Sequence, residues 1–229
     1  MSRRPLLILR PEPGAGMTAR AALEQGWRPI VSPIFRIEAV AWDAPAPDGH
    51  DALFVTSANA VRQAGRPLKL YMALPAYAVG AATARALKAA GFADIRTGRG
   101  DAAAMMEAAA ENGVRRALHL AGEDHRDTAH PDVAVDRRIV YRSAAIDGLG
   151  DKVAAALREG ETVVLLHSGR AAQHFAALCD AAGIPRDAVR IAALAPAVLE
   201  AAGEGWRDAI AAGKPDDAAL LAAAARLCQ

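Results

Sequence analysis

The sequence has little of what several large protein classes require. It contains only two cysteines, Cys179 and Cys228, which are too few for a disulfide framework and lack the spacing of a metal site. Aromatic residues make up only 4% of the chain, and much of its apolar content is alanine, which fits helices packed closely on sheets. Because 27 basic residues nearly cancel 26 acidic ones, the charge does not favour nucleic acid or a membrane surface as a partner.

Long apolar runs are also missing. No stretch approaches the roughly 18 apolar residues of a membrane-spanning helix. Near the N-terminus the apolar run covers only Leu6–Leu9, which predicts a strand and not the core of a signal peptide. We therefore expect a soluble protein of the reducing cytoplasm.

The motifs of several cofactor-dependent and metal-dependent chemistries do not occur. Neither G-x-G-x-x-G nor G-x-x-x-x-G-K-[ST] opens a predicted helix, which argues against dinucleotide and Walker-type phosphate sites. The six histidines form no H-x-x-x-H or H-E-x-x-H pattern, and the carboxylates form no pair of the glycosidase kind. The sequence therefore predicts no catalytic metal.

What the sequence does contain is a repeat. Residues 51–61 read DALFVTSANAV and residues 162–172 read TVVLLHSGRAA, each an apolar strand that runs through a serine-bearing turn into a helix start. A second strand–turn–helix phrase follows each of them, at residues 77–92 and 190–206. The repeat predicts two similar α/β lobes that hold a ligand between them.

Along the chain, predicted strands alternate with helices, a pattern that favours parallel sheets covered by helices on both faces. A strand at 117–121 is expected to have a helix of its own after it. Two extended runs, residues 30–40 and 139–146, are expected to connect the lobes. The first contains Pro33, which has no N–H to donate within a central ladder.

The predicted fold class is therefore α/β, with two similar parallel-sheet domains joined by a two-stranded β connector. We expect a discontinuous domain one, built from both chain ends at residues 1–34 and 147–229. Domain two is expected as an insertion at residues 37–140.

Ligands of parallel α/β sheets bind beyond the carboxyl ends of the strands, where helix N-termini favour anions. Six predicted loops of this kind would form a long cleft lined by amides, small hydroxyls and arginines, which suits a large ligand with many carboxylates. These loops are residues 10–16, 56–59, 80–83, 121–126, 167–170 and 195–197.

Each candidate residue also has a structural interpretation. Ser57, Ser168 and Thr83 could be helix caps and nothing more. Tyr141, one of three tyrosines, could be a packed aromatic with its hydroxyl at the surface. Four arginines could simply be solvated, although their placement at strand ends favours ligand contact for the first and the last: Arg10, Arg62, Arg126 and Arg170.

At several places the chain resembles the uroporphyrinogen-III synthase family. The phrases that carry the resemblance occur in the family's order over essentially the full length. They are LLILRPEP, ALFVTSANAV, YAVGAATARALKAAG, LHLAGEDHR, VYRS, VVLLHSGRAAQHF and KPDDAALLAAAARL.

The resemblance implies two α/β domains with a two-stranded connector and domain one made from both chain ends. It implies the substrate hydroxymethylbilane, a linear tetrapyrrole rich in carboxylates, which is cyclised to uroporphyrinogen III. It also implies that no metal and no organic cofactor is used. We further expect a monomer that makes transient contact with the preceding enzyme of the pathway.

The resemblance also implies roles for individual residues. Thr56 and Ser57 match the Thr-Ser turn that faces the ligand, and Thr83 matches the threonine of the Gly-x-x-Thr-Ala helix start. Tyr141 matches the connector tyrosine that assists loss of the substrate hydroxyl, and Ser168 matches the serine of the second-lobe turn.

One position departs from the family pattern. Many relatives carry Gly-Pro-x-Thr where this chain has Ala195–Val198, so Val198 replaces a threonine. If the function holds, a hydroxyl at this position is not essential to the mechanism.

Two other functions are open to the residues alone. A non-catalytic two-lobe small-molecule-binding protein of the solute-receptor type should carry an export signal. A nucleotide- or methyl-donor-dependent transferase needs a Gly-rich first loop, and the loop Pro11–Gly16 is only partly Gly-rich.

Overall fold

The chain divides into two units, one formed by residues 1–36 and 145–229 and the other by residues 37–144. The computed structural model describes residues 4–98, 101–125 and 129–228. Arg126, a candidate of the sequence analysis, lies outside the described residues.

The strands, in chain order, are β1 (Pro5–Ile8), β2 (Arg28–Val31), β3 (Phe35–Ala39), β4 (Ala52–Val55), β5 (Ala76–Ala78), β6 (Ile95–Thr97), β7 (Arg116–Gly122), β8 (Ala134–Ala145), β9 (Val163–Leu166), β10 (Arg190–Ala193) and β11 (Asp208–Ala211). The α-helices are α1 (Gly14–Glu24), α2 (Ala58–Gln63), α3 (Ala81–Ala90), α4 (Ala102–Glu111), α5 (Asp151–Arg158), α6 (Gly169–Ala181), α7 (Pro196–Ala201) and α8 (Asp217–Arg226).

The two sheets are similar in arrangement, although the chain enters them at different strands and the second has one strand more. The first runs β2-β1-β9-β10-β11, with parallel neighbours throughout. The second runs β8-β7-β4-β5-β6, also parallel, and β3 lies beside β8 at its edge. The repeated sequence phrases therefore occupy equivalent strands, β4 with β9 and β5 with β10. The predicted α/β class with two similar parallel sheets is confirmed.

The central strands are apolar on both faces because helices cover both sides of each sheet. In β1, Leu7 packs into one buried cluster, whereas Leu6 and Ile8 pack into another. In β4, Leu53 and Val55 face one cluster, and the alternate residue Phe54 faces a different one. This alternation fixes the register of the strands.

The first extended run is not one strand. It consists of β2 and β3, separated at residues 32–34, where Pro33 has no N–H to donate. β2 pairs with β1 in the first sheet, whereas β3 pairs with β8 in the second.

The second extended run is the carboxyl-terminal part of the longer strand β8. From Ala134 to Tyr141 this strand pairs with β7, so β8 is a full member of the second sheet. The expected helix after residues 117–121 is absent from the described residues between β7 and β8, which are 123–125 and 129–133. Among the described residues, none of the helices has the length and apolarity that a membrane span requires.

Candidate functional site at the strand ends

In the second sheet, the chain reverses its direction of winding between β4 and β7, and two hydroxyl residues follow β4 at this point. Ser57 is the N-cap of α2, and its Oγ accepts a hydrogen bond from the Asn59 amide at 3.1 Å. The Thr56 Oγ1 lies 3.2 Å from the Nε2 of His119, which is on β7. Since its Oγ accepts from the Asn59 amide, Ser57 is a helix cap, as the structural interpretation predicts. Parallel α/β sheets bind their ligands at such reversals, but ligand contact by Ser57 stays a prediction.

His119 is buried, with only 4% of its surface exposed. Burial, and then the nearby charges of Arg137 and His125, lower its pKa to about 4. The Nε–H of Arg137 donates to the ring Nδ1 at 3.5 Å. At neutral pH the ring is therefore uncharged and is held between Arg137 and Thr56.

Thr83 is the third residue of α3 and is 5% exposed. The N-cap of this helix is Gly80, which makes no side-chain cap. No described residue forms a hydrogen bond with the Thr83 hydroxyl. Thr83 is therefore not the cap of its helix, and its hydroxyl remains available to a ligand.

Tyr141 lies on β8 opposite Gly122, where the register between β7 and β8 shifts. Its backbone carbonyl accepts a hydrogen bond from the Glu123 amide at 3.0 Å. Its ring packs so closely on Gly122 that a Cβ there would lie 2.7 Å from the phenol oxygen. The ring is partly buried against the core, while the hydroxyl has no hydrogen-bond partner among the described residues. Its catalytic role stays a prediction.

In the first sheet, Ser168 and Arg170 stand at the start of α6. The Ser168 Oγ accepts a hydrogen bond from the Ala171 amide at 3.2 Å, so this serine is the N-cap. The guanidinium carbon of Arg170 lies 4.5 Å from the centre of the Phe35 ring. Both residues are exposed.

Arg10 follows β1 and is paired inside the same unit. Its Nη1 donates to the Asp217 carboxylate at 3.0 Å, and Asp217 also accepts from the buried Thr18 hydroxyl at 2.6 Å. His167, at the end of β9, lies 3.5 Å from the same carboxylate. Burial, and then the charge of Arg10, lower the pKa of His167 to about 4. Substrate binding by Arg10 stays a prediction, and a ligand would have to compete with Asp217.

The candidates thus fall into two groups at the carboxyl edges of the sheets. The second unit carries Thr56, Ser57, Thr83 and Tyr141, and the first carries Arg10, Ser168 and Arg170. Val198 packs against the core of the first unit. Among the described residues, no group of acidic, histidine or cysteine side chains could hold a metal ion.

Sequence reasoning missed several residues of this edge. Gly122 belongs to the site because the Tyr141 ring packs on it, which only the structure shows. Arg137 belongs to it because its Nε–H donates to His119. Asp217 is brought to Arg10 from the other end of the chain. The one signal available was that His119 interrupts an apolar strand and His167 directly follows one, which are unusual places for a polar side chain.

Comparisons with known proteins identify the family of the chain. A family model described as uroporphyrinogen-III synthase HemD matches residues 17–222. A uroporphyrinogen-III synthetase from Helicobacter pylori is similar in structure, with a TM-score of 0.64 and 16% identity over 99% of this chain and 100% of that one. The Thermus thermophilus uroporphyrinogen III synthase aligns over 99% of this chain and 100% of its own, with 17% identity and a TM-score of 0.41. No curated protein matches by sequence. Because the family model spans most of the sequence, the chain belongs to the uroporphyrinogen-III synthase family.

Proposed function

We propose that this enzyme converts hydroxymethylbilane into uroporphyrinogen III, with loss of water and inversion of the terminal pyrrole ring, and that the strand-end residues described above bind and activate the substrate. The observation that carries the reaction is the family match over residues 17–222. The enzyme is accordingly a cyclising lyase of haem biosynthesis.

The reaction itself demands mainly control of geometry. Loss of water from the hydroxymethyl group leaves an electrophilic azafulvene, and the substituted carbon of the terminal pyrrole attacks it to form a spiro intermediate. That intermediate fragments and recloses with the ring turned over. Because pyrroles also close unaided, to the isomer without inversion, the enzyme must hold the terminal ring in position and exclude water.

Neutral donors are suited to holding the carboxylates. The first amides of α3 and α6 have no partner within their helices, and the positive ends of these helices favour anions. Hydroxyls and arginines add to them in this proposal: Thr56, Ser57, Thr83, Ser168, Arg10 and Arg170. The hydroxyl of Thr83 supports this role because it has no hydrogen-bond partner among the described residues and can therefore donate to a carboxylate.

Tyr141 is proposed as the general acid that protonates the departing hydroxide. Its phenol has no hydrogen-bond partner among the described residues, and its ring is held in place against Gly122. A positioned acid of this kind contributes on the order of 10²-fold or more to a rate.

Isomer analysis tests the proposal. Enzymatically prepared hydroxymethylbilane is incubated with the protein, and the oxidised products are separated by chromatography. The type III isomer is expected, and type I alone would refute the proposed reaction. Tyr141→Phe should lower kcat by about 100-fold at unchanged stability, because only the hydroxyl is removed. Near-full activity of this variant would place the acid elsewhere.

The remaining expectations belong to the same proposal. We propose a cytoplasmic monomer that meets the preceding enzyme of the pathway only transiently. Sedimentation of the purified protein, alone and mixed with that enzyme, tests both points. A stable dimer or a stable complex would contradict them.

A further inference from the structure

A row of three side chains crosses the second sheet and ends at the carboxyl end of β4. His119 on β7 is paired in register with Phe54 on β4 and with Arg137 on β8. Thr56 lies two residues beyond Phe54. The row thus connects a cation on β8 to a hydroxyl at the end of β4 through one imidazole.

The chemistry of the row fixes the direction of its hydrogen bonds. An arginine cannot accept a hydrogen bond, so the Nδ1 that faces the Nε–H of Arg137 must be the acceptor. The neutral imidazole then carries its proton on Nε2, which lies 3.2 Å from the Thr56 Oγ1. Consequently Thr56 accepts from His119, and its own hydroxyl proton is not used in this bond.

The hydroxyl proton of Thr56 has no other acceptor among the described residues. Thr56 is partly exposed, so a ligand at the strand end can reach it. A hydroxyl that already accepts from a fixed donor is restricted in its rotation and offers a donor to what lies outside. A carboxylate, which only accepts, complements such a donor.

We propose that His119 is a positioning residue, which holds the Thr56 oxygen through its Nε2–H and so directs the Thr56 hydroxyl proton to a carboxylate of hydroxymethylbilane. This inference rests on the proposed function, because it takes Thr56 to contact that substrate. It assigns His119 no contact with the substrate itself.

The tautomer of His119 can be measured without any activity. Side-chain ¹⁵N NMR of the ligand-free protein at neutral pH should show a neutral ring protonated on Nε2. Arg137→Gln should change the Nδ1 signal, because it removes the cationic donor that faces this atom. A ring protonated on Nδ1, or on both nitrogens, would overturn the inference.

Steady-state kinetics test the action on the substrate. His119→Leu should raise KM for hydroxymethylbilane about tenfold with little change in kcat, since a hydrogen bond to a charged group is weakened equally before and in the transition state. His119→Gln should restore most of the affinity, because its amide carries both a donor and an acceptor. The control is His50→Leu, another buried histidine of the same unit that precedes β4 and lies at its opposite end. It should leave KM unchanged.

A double-mutant cycle shows whether His119 acts through Thr56. Once Thr56→Val has removed the hydroxyl, His119→Leu should have no further effect on KM. Additive effects would overturn the inference. If His119→Leu does not fold, the NMR result still decides the matter, because it requires only the wild-type protein and Arg137→Gln.

The two proposals can fail separately. If the wild-type enzyme yields only the type I isomer, the proposed function is wrong, whatever the tautomer of His119. If it yields type III and His119→Leu keeps the wild-type KM, only the inference about His119 is wrong.

Discussion

Gly122 offers a direct test of how Tyr141 is held. No side chain can be added at Gly122 without displacing the phenol ring. A Cβ there would lie 2.7 Å from the Tyr141 hydroxyl oxygen and 2.9 Å from its Cε1, whereas contacts between non-bonded carbon atoms are normally about 3.5–4.0 Å long. Gly122→Ala must therefore push the ring away by about 1 Å. Because the φ of Gly122 is not positive, the alanine itself causes no backbone strain.

Two effects should follow from this displacement. Overpacking of this kind costs about 1–3 kcal/mol of unfolding free energy. A catalytic group displaced by about 1 Å loses up to about 100-fold in rate, so kcat should fall nearly as far as in Tyr141→Phe. Gly148→Ala is the matched control, because an added Cβ there meets nothing within 4 Å.

Urea unfolding and isomer-resolved kinetics measure the two effects. In a Tyr141→Ala background the obstacle is gone, so Gly122→Ala should then cost less than about 0.5 kcal/mol. An equal cost in both backgrounds would refute the packing argument. A stability loss with wild-type kcat would instead show that the position of the phenol does not matter to the reaction.

Three further predictions concern stability. Ser168→Ala should lower the unfolding free energy by about 1 kcal/mol, because the helix loses its cap. If the KM for hydroxymethylbilane also rises more than in a surface control variant, the serine contacts the substrate as well. Asp217→Ala should cost about 1–2 kcal/mol in urea unfolding, because the Arg10 cation and the buried Thr18 hydroxyl lose their shared acceptor. Between pH 6.5, the ordinary pKa of histidine, and about pH 4, His119 binds a proton only in the unfolded chain. The free energy of unfolding should therefore fall as the pH drops across this range. His119→Gln should remove up to roughly 3 kcal/mol of that fall, and an unchanged acid profile would contradict the low pKa.

Much of the fold could be predicted because the strands carry their own signal. The fully apolar β4 and β9 and the serine turns after them predict parallel sheets with equivalent central strands, which is what the structure shows. The short edge strands β6 and β11 were missed. Both are partly exposed and have only one neighbour, so their sequences lack the apolar run that marks a central strand.

The expected helix after residues 117–121 was inferred from alternation alone. The described residues between β7 and β8 contain no helix, and the pairing of β8 with β7 continues to Tyr141. The length of β8 was also underestimated, because its first half is rich in charged residues such as Arg137 and Arg138.

Candidate site residues could be predicted only as chemical types at strand ends. That Ser57 and Ser168 cap helices follows from local sequence, whereas their contact with substrate does not. The pairing of Arg10 with Asp217 joins opposite ends of the chain and could not be read from either. The same holds for the approach of the Tyr141 ring to Gly122, which depends on a register shift between two strands.

The candidate residues of the two units differ in how many of their polar atoms already have partners within the protein. In the first unit, Asp217 compensates the charge of Arg10 and accepts a hydrogen bond from Thr18. A substrate carboxylate can bind Arg10 only by replacing Asp217, so the net gain in binding free energy is small. In the second unit, the hydroxyls of Thr56 and Thr83 keep a proton that no described residue accepts. A neutral hydroxyl without an internal acceptor can donate to a carboxylate without losing another hydrogen bond, whereas breaking the Arg10–Asp217 ion pair carries its own cost. We therefore expect the second unit to contribute more of the affinity per contact, although the first contains the two arginines proposed to bind substrate, Arg10 and Arg170.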